Sequence, residues 1–338
     1  MPGTASEQQP ICWSHTRDLL LRTCARRYYY RYHLANGGWR AGAPPEVRRA
    51  YVLAQLTTLD LVLGTAIHTR AREVATAIVT RRPRPTAELL LARTRAALNR
   101  VWKASRDLAA FHRDPRCHPV LLDVYYGREV GPEPIERVRT KMKRCLAALV
   151  DCPVWTVLEG CTPAEVWIID APVQITVDGV LVWIVPDLVY ARAGKRTVVL
   201  DWKTGRVDEA TVLDQLCLGA LAVRDALAVP TGRDGYQGLV VELTTGEVHS
   251  TDLSEDDLAS AEERIRWGGE AMRALDSGPG GDPRDRIDDF PMTDQRARCP
   301  KCPFWELCGP TIDGCSPSTT GGGEIGRATR SLPPFPAS

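Results

Sequence analysis

The stretch Trp183-Ile184-Val185-Pro186-Asp187, followed by Val199-Leu200-Asp201-Trp202-Lys203-Thr204-Gly205, decides how the rest of the chain reads. Side chains on a β-strand alternate faces, so Asp201 and Lys203 share one face and Trp202 takes the other. Asp187 ends the preceding strand and can stand beside them. Two carboxylates on one sheet face repel unless a cation lies between them, and hard divalent ions such as Mg²⁺ or Mn²⁺ prefer oxygen ligands. A lysine beside such an ion can orient or deprotonate water and stabilise charge developing at phosphorus. Taken alone, an Asp-x-Lys triplet is equally an ordinary surface pair at a strand end.

Working outward, Ala164 to Val177 is β-branched and roughly alternating, Asp178-Gly179 signals a hairpin turn, and Val180 to Tyr190 and Thr197 to Trp202 complete an antiparallel meander. Leu213 to Leu227 reads as a helix. Tyr236 to Leu243 and Glu247 to Leu253 read as strands around a Thr-Thr-Gly turn, and Ser254 caps a helix reaching Leu275. Upstream, helical spacing covers residues 14–34, 45–80, 86–111 and 133–149. Asn36-Gly37-Gly38 and Arg81-Arg82-Pro83-Arg84-Pro85 interrupt it. The fold class expected is mixed α/β (α+β): a mixed sheet flanked by helices, with a helical N-terminal lobe. The expected divisions are a disordered start (1–13), a basic helical lobe (14–162), the sheet core (163–276), a loop and cysteine segment (277–315) and a disordered tail (316–338).

With 338 residues, 44% of them apolar, the chain can bury a sizeable core. No apolar run approaches the roughly 18 residues needed to cross a bilayer. The first ten residues lack the order of a signal peptide, so a cytoplasmic protein without a membrane partner is expected. The net charge of +1 hides a split. Residues 1–150 carry 26 Lys+Arg against 12 Asp+Glu, and residues 151–338 carry 17 against 30. A basic half of net +14 beside an acidic half of net −13 points to a polyanionic partner, or to two lobes that pair with each other. Arg17, Arg22, Arg26, Arg27 and Arg31 are interleaved with Tyr28, Tyr29, Tyr30 and Tyr32, a mixture suited to phosphates and unstacked bases. Four aromatics within five residues cannot all face one way, so two at most are expected to meet nucleic acid.

Eleven cysteines in a reducing compartment suggest metal binding before disulfides. Cys299-Pro300-Lys301-Cys302 is a tight turn that presents two thiolates to one centre, and Cys308 can close over it. A tetrahedral site needs a fourth ligand, and Cys24 is the choice, with Cys12 as the competitor. A centre held by Cys24 and Cys299 would clasp the first helix to the C-terminal segment across the core. The other cysteines read as buried or incidental thiols.

Pro186-Asp187 with Asp201-Trp202-Lys203 resembles the defining motif of the PD-(D/E)XK nucleases, and Asp-Trp-Lys-Thr-Gly resembles their RecB-type branch. The resemblance implies a restriction-endonuclease-like fold. It also implies His68, in Gly64-Thr65-Ala66-Ile67-His68, together with Asp187 and Asp201 as ligands for Mg²⁺ or Mn²⁺. Lys203 would be the catalytic lysine and Gln215 a supporting group. The branch often carries a tyrosine four residues after that glutamine; Gly219 stands there instead. Glu165 is a weaker candidate for an added carboxylate.

The cysteine layout resembles the AddB nuclease domain, exonuclease V and CRISPR-adaptation nucleases, where four cysteines hold a four-iron, four-sulfur cluster; zinc is the competing metal. Ala25 stands where proline is usual. The function implied is a metal-dependent DNA nuclease acting on single strands or ends, in repair, recombination, CRISPR adaptation or defence. A helicase or other repair or adaptation protein would be its partner, since no P-loop is present. The alternatives are a non-catalytic nucleic-acid-binding subunit and a zinc scaffold built on four cysteines.

Overall fold

A computed structural model describes residues 11–191, 196–205, 208–227, 235–278 and 281–309. Residues 1–10 of the start and the tail expected to be disordered, most of the turn after Ala191, and Cys315 lie outside them, whereas Cys12 and Trp13, also expected to be disordered, form a strand in which Trp13 is buried. The chain opens with a short strand β1 (Cys12–Trp13) and then runs through α1 (His15–Thr23), α2 (Ala25–Tyr29), α3 (Pro45–Leu53), α4 (Leu59–Val79), α5 (Ala87–Ala104), α6 (Leu108–Arg113), α7 (Leu122–Tyr125), α8 (Pro132–Val150) and α9 (Val154–Glu159). The sheet-rich part follows: β2 (Val166–Ile169), β3 (Val173–Val177), β4 (Val180–Ile184), β5 (Leu188–Ala191), β6 (Thr197–Lys203), α10 (Glu209–Ala222), β7 (Tyr236–Glu242), β8 (Glu247–Leu253), α11 (Glu255–Asp276) and α12 (Trp305–Cys308). No helix among the described residues is long and apolar enough to cross a membrane.

Of the helices expected upstream, 133–149 forms unbroken within α8, and the other three are each broken by a local device. The first stops at Cys24, whose backbone is extended at φ −163° and ψ 101° before α2 begins, and α2 passes into a π-turn over Tyr30–Leu34. The second divides between α3 and α4, where the Thr58 hydroxyl accepts from Leu61 N at 3.2 Å. The third divides between α5 and α6, where Asp107 accepts from Ala110 N at 2.8 Å. Such caps satisfy N–H groups that a new helix leaves without partners.

The expected meander is also corrected. Two sheets form: a three-stranded one in the order β1-β4-β3 and a five-stranded one in the order β2-β5-β6-β7-β8. The stretch 164–177 breaks at Asp170 and Pro172 into β2 and β3. The stretch 180–190 breaks at Pro186, which has no N–H to offer a ladder, into β4 and β5. The β3–β4 hairpin, turned by Asp178 and Gly179 at positive φ, belongs to the smaller sheet. In the larger sheet β6 pairs antiparallel with β5 and parallel with β7, and α10 provides the crossover that a parallel pair requires. Four consecutive residues of β6, Thr197 to Leu200, are buried, as suits a strand covered on both faces.

The chain forms two compact units. The first takes the described parts of Met1–Leu19, Gly64–Ala92 and Lys141–Gly281, including both sheets. The second takes Leu20–Leu63, Arg93–Thr140 and the described part of Asp282–Ser338. Each draws on segments far apart in sequence.

Candidate functional site

In the first unit, β6 presents Asp201 and Lys203 on one face while Trp202 turns away and packs on Trp155, ring centroids 5.1 Å apart. Lys203 Nζ lies 2.7 Å from Asp201 Oδ2 and also donates to Gln215 Oε1 on α10. Asp187 sits just before β5, and its Oδ2 accepts from the backbone N–H of Trp202 at 2.8 Å. His68 on α4 reaches the same carboxylate, Nδ1 to Oδ1, at 2.9 Å. The five residues expected at the centre therefore meet.

Two glycines allow these elements to come close. A Cβ on Gly64, one turn before His68, would come within 3.3 Å of Thr204 Oγ1, so α4 passes tightly by the end of β6. A Cβ on Gly219 would collide with Val199, two residues before Asp201, and would lie 3.7 Å from Pro186. The glycine that departs from the tyrosine pattern thus seats α10 on the strand carrying Asp201.

Burial and the neighbouring Asp187 push the Asp201 carboxyl above its usual range, and Lys203 and His68 only partly offset this. Burial alone would lower the His68 pKa, but the carboxylates of Asp187 and Asp201 outweigh it, so the imidazole holds its proton more tightly than a free histidine. Asp201 Oδ2 is buried and, despite the ion contact with Lys203, accepts no well-directed hydrogen bond among the described residues. A costly buried carboxylate oxygen beside a second carboxylate and an imidazole is a donor set suited to Mg²⁺ or Mn²⁺.

Glu165 is not part of this group: its carboxylate accepts from Thr162 N at 2.7 Å and Thr162 Oγ1 at 2.9 Å in a capping box. Sequence reading missed Asp170. Its N–H donates to Asp187 O at 2.8 Å, its carboxylate pairs with Arg72 at 3.1 Å, and burial with the nearby Asp187 raises its pKa against the pull of Arg72. The signal available was the Asp-Ala-Pro break in an alternating stretch. Also missed were Glu242, Glu247 and His249, whose ligand atoms all lie within 4.8 Å of one another. Register places them on the same sheet face as Asp201 and Lys203, since Lys203 pairs with Glu242, Glu242 with Glu247 and Val240 with His249.

In the second unit, Cys24, Cys299, Cys302 and Cys308 line one pocket, together with Arg27, Tyr30, Met292, Thr293 and Trp305. The break at Cys24 takes that residue out of the helix, and a 3₁₀ turn over Arg296–Lys301 carries Cys299. All four cysteines lie in this unit, so a clasp through them would join the segment after Leu20 to the segment after Asp282 within it rather than reach across the core. Burial pushes the Cys302 thiol up to about 11 and raises Cys308 as well, so both must shed protons on binding a metal.

Arg26 donates through Nε to Phe290 O at 2.7 Å, which ties α2 to the segment after Asp282. Tyr28, Tyr29 and Tyr30 are buried, packing among themselves and against Phe290 and Phe304. Cys145, Cys152, Cys161 and Cys217 are buried thiols, whereas Cys117 is exposed.

A sequence model of the PD-(D/E)XK nuclease superfamily matches residues 12–309. No curated protein matches the chain.

Proposed function

Because the chain belongs to the PD-(D/E)XK nuclease superfamily and has its restriction-endonuclease-like mixed α/β fold, we propose that it hydrolyses DNA phosphodiester bonds at the centre formed by His68, Asp187, Asp201, Lys203 and Gln215. The observation that carries this reading is the buried Asp201 carboxylate, set beside Asp187 and held at 2.7 Å from Lys203. His68, Asp187 and Asp201 would hold Mg²⁺ or Mn²⁺. Such an ion, when bound, supplies Lewis acidity at a phosphoryl oxygen and makes water easier to deprotonate. Lys203 orients or deprotonates the attacking water. Gln215 fixes the lysine through its Oε1 contact, and Trp202 N fixes Asp187 through Oδ2.

The four-cysteine pocket supports a placement in the RecB-type branch, with Cys24, Cys299, Cys302 and Cys308 holding a four-iron, four-sulfur cluster. The substrate proposed is single-stranded DNA or a DNA end, within repair, recombination, CRISPR adaptation or defence, with a helicase or other repair or adaptation protein supplying any unwinding. The test is digestion of end-labelled single- and double-stranded DNA. Preference for a single strand or a free end supports the substrate assignment, and equal cutting within covalently closed duplex overturns it.

A further inference from the structure

The chain crosses between the two sheets of the first unit at adjacent points. One crossing, between β2 and β3, turns at Asp170. The other, between β4 and β5, carries Asp187. Ile169 pairs with Leu188, and the Asp170 N–H continues that ladder by donating to Asp187 O at 2.8 Å. Asp170 has φ +47°. Asp178, the other aspartate with that value, stands in a tight hairpin next to Gly179, where such a turn is ordinary. Asp170 is followed by Ala171 and Pro172 and has no such glycine, and left-handed backbone at a non-glycine residue persists where its surroundings hold it.

The carboxylate of Asp170 is held by Arg72 at 3.1 Å. Arg72 lies four residues after His68 on α4, on the same side of the helix. His68 in turn lies 2.9 Å from Asp187 Oδ1. The contacts form a ring: α4 grips the sheet twice, directly through His68 and Asp187, and indirectly through Arg72 and Asp170 to the Asp187 carbonyl.

We propose that Asp170 and Arg72 are positioning residues for the metal centre, fixing the Asp187 backbone and the approach of α4 so that Asp187 and His68 present their donor atoms together. The proposal rests on the assignment of His68 and Asp187 as ligands. Losing a partner that orients a metal ligand typically costs about 10–100-fold in metal affinity. The Arg72–Asp170 pair is part-exposed, so its direct contribution to folding stability is small.

The sign of one substitution separates positioning from simple charge. Arg72→Gln removes a positive charge near the cation site, which by electrostatics alone would tighten cation binding. If Arg72 positions α4 and Asp170, the same change loosens it. The experiment is titration of Mn²⁺ into the full chain by isothermal calorimetry, with melting temperature measured alongside, for wild type, Arg72→Gln, Asp170→Asn, the double variant and Asp201→Ala. Asparagine tolerates positive φ, so Asp170→Asn keeps the turn and the N–H while losing the ionic grip. Each single variant is expected to weaken Mn²⁺ binding about tenfold with an unchanged melting temperature, and the double variant to lose no more than either single one. Unchanged or tighter binding by Arg72→Gln, or losses that multiply in the double variant, overturns the positioning role while wild type and Asp201→Ala still report on the site. Wild type that binds Mn²⁺ no better than Asp201→Ala overturns the metal assignment and the proposal with it.

Discussion

Trp202 donates its backbone N–H to Asp187 Oδ2 at 2.8 Å, while its own indole packs on Trp155 on the far side of the sheet. The residue between Asp201 and Lys203 thus anchors β6 through its indole and the preceding carboxylate through its main chain. The acidic centre is fixed by main chain as well as by side chains.

Since the three groups would serve one reaction, Asp187→Ala, Asp201→Ala and Lys203→Ala should each reduce cleavage by at least about 10³-fold, with far from additive losses in combination. Cleavage rates measured beside circular dichroism spectra check this. Near-wild-type cutting by any one of the three contradicts the assignment.

Asp201 gives a prediction in the absence of metal. Its carboxyl pKa is raised on folding, so the native protein keeps a proton that the unfolded chain has already lost, and this residue's contribution to stability falls as pH rises through that interval. Asp201→Asn removes the penalty. In chelator, the variant's melting temperature relative to wild type should therefore be higher at about pH 8 than at about pH 4. A constant difference across that range would show that burial of this charge costs nothing.

Gly219 has no room for a side chain against Val199. Gly219→Ala should cost about 1–3 kcal/mol of stability, as overpacking does, and should lower cleavage further by shifting Gln215, which lies on the same helix one turn earlier. Denaturant melts and kinetics on the same preparation check both effects. A fully active, fully stable variant would mean that α10 need not sit so close.

Replacing Cys24, Cys299, Cys302 or Cys308 with serine should remove bound metal and lower the melting temperature together, on the order of 10 °C, because metal affinity here becomes folding free energy. Absorbance near 400 nm after anaerobic purification distinguishes an iron–sulfur cluster from zinc. Four serine variants that retain their metal would contradict the pocket's role.

Sequence alone makes Arg26 a candidate for a phosphate contact, but its guanidinium bonds Phe290 O. Arg26→Ala should lower thermal stability and leave the salt dependence of DNA binding unchanged, since each phosphate contact contributes about −0.7 to the slope of log K against log salt for a single strand. A flatter slope with unchanged stability would return Arg26 to the DNA interface.

The motif residues were legible because they carry their chemistry in local order: Pro-Asp, Asp-x-Lys and a glutamine on the next helix lie within 30 positions. Alternation gave the position of most strands. It could not show that Pro186 sends β4 and β5 into different sheets, because each half keeps the period of two. Two of the upstream helices proved shorter than their spacing suggested, since Thr58 and Asp107 act as caps inside stretches whose apolar spacing runs on. Asp170 was harder to find for a different reason: the Asp-Ala-Pro break marks only a strand end, while its place beside Asp187 rests on a backbone N–H, a positive φ and an arginine 98 positions away. Gly219 read as a departure from a pattern and became intelligible only once Val199 was seen beneath it.

The most direct test is cleavage of labelled single-stranded DNA by wild type and by Asp201→Ala, each with Mn²⁺, with Mg²⁺ and with chelator. The account predicts that wild type cuts with either ion and not with chelator, and that Asp201→Ala cuts under none of these conditions. Cutting by wild type in chelator, or undiminished metal-dependent cutting by Asp201→Ala, would contradict it.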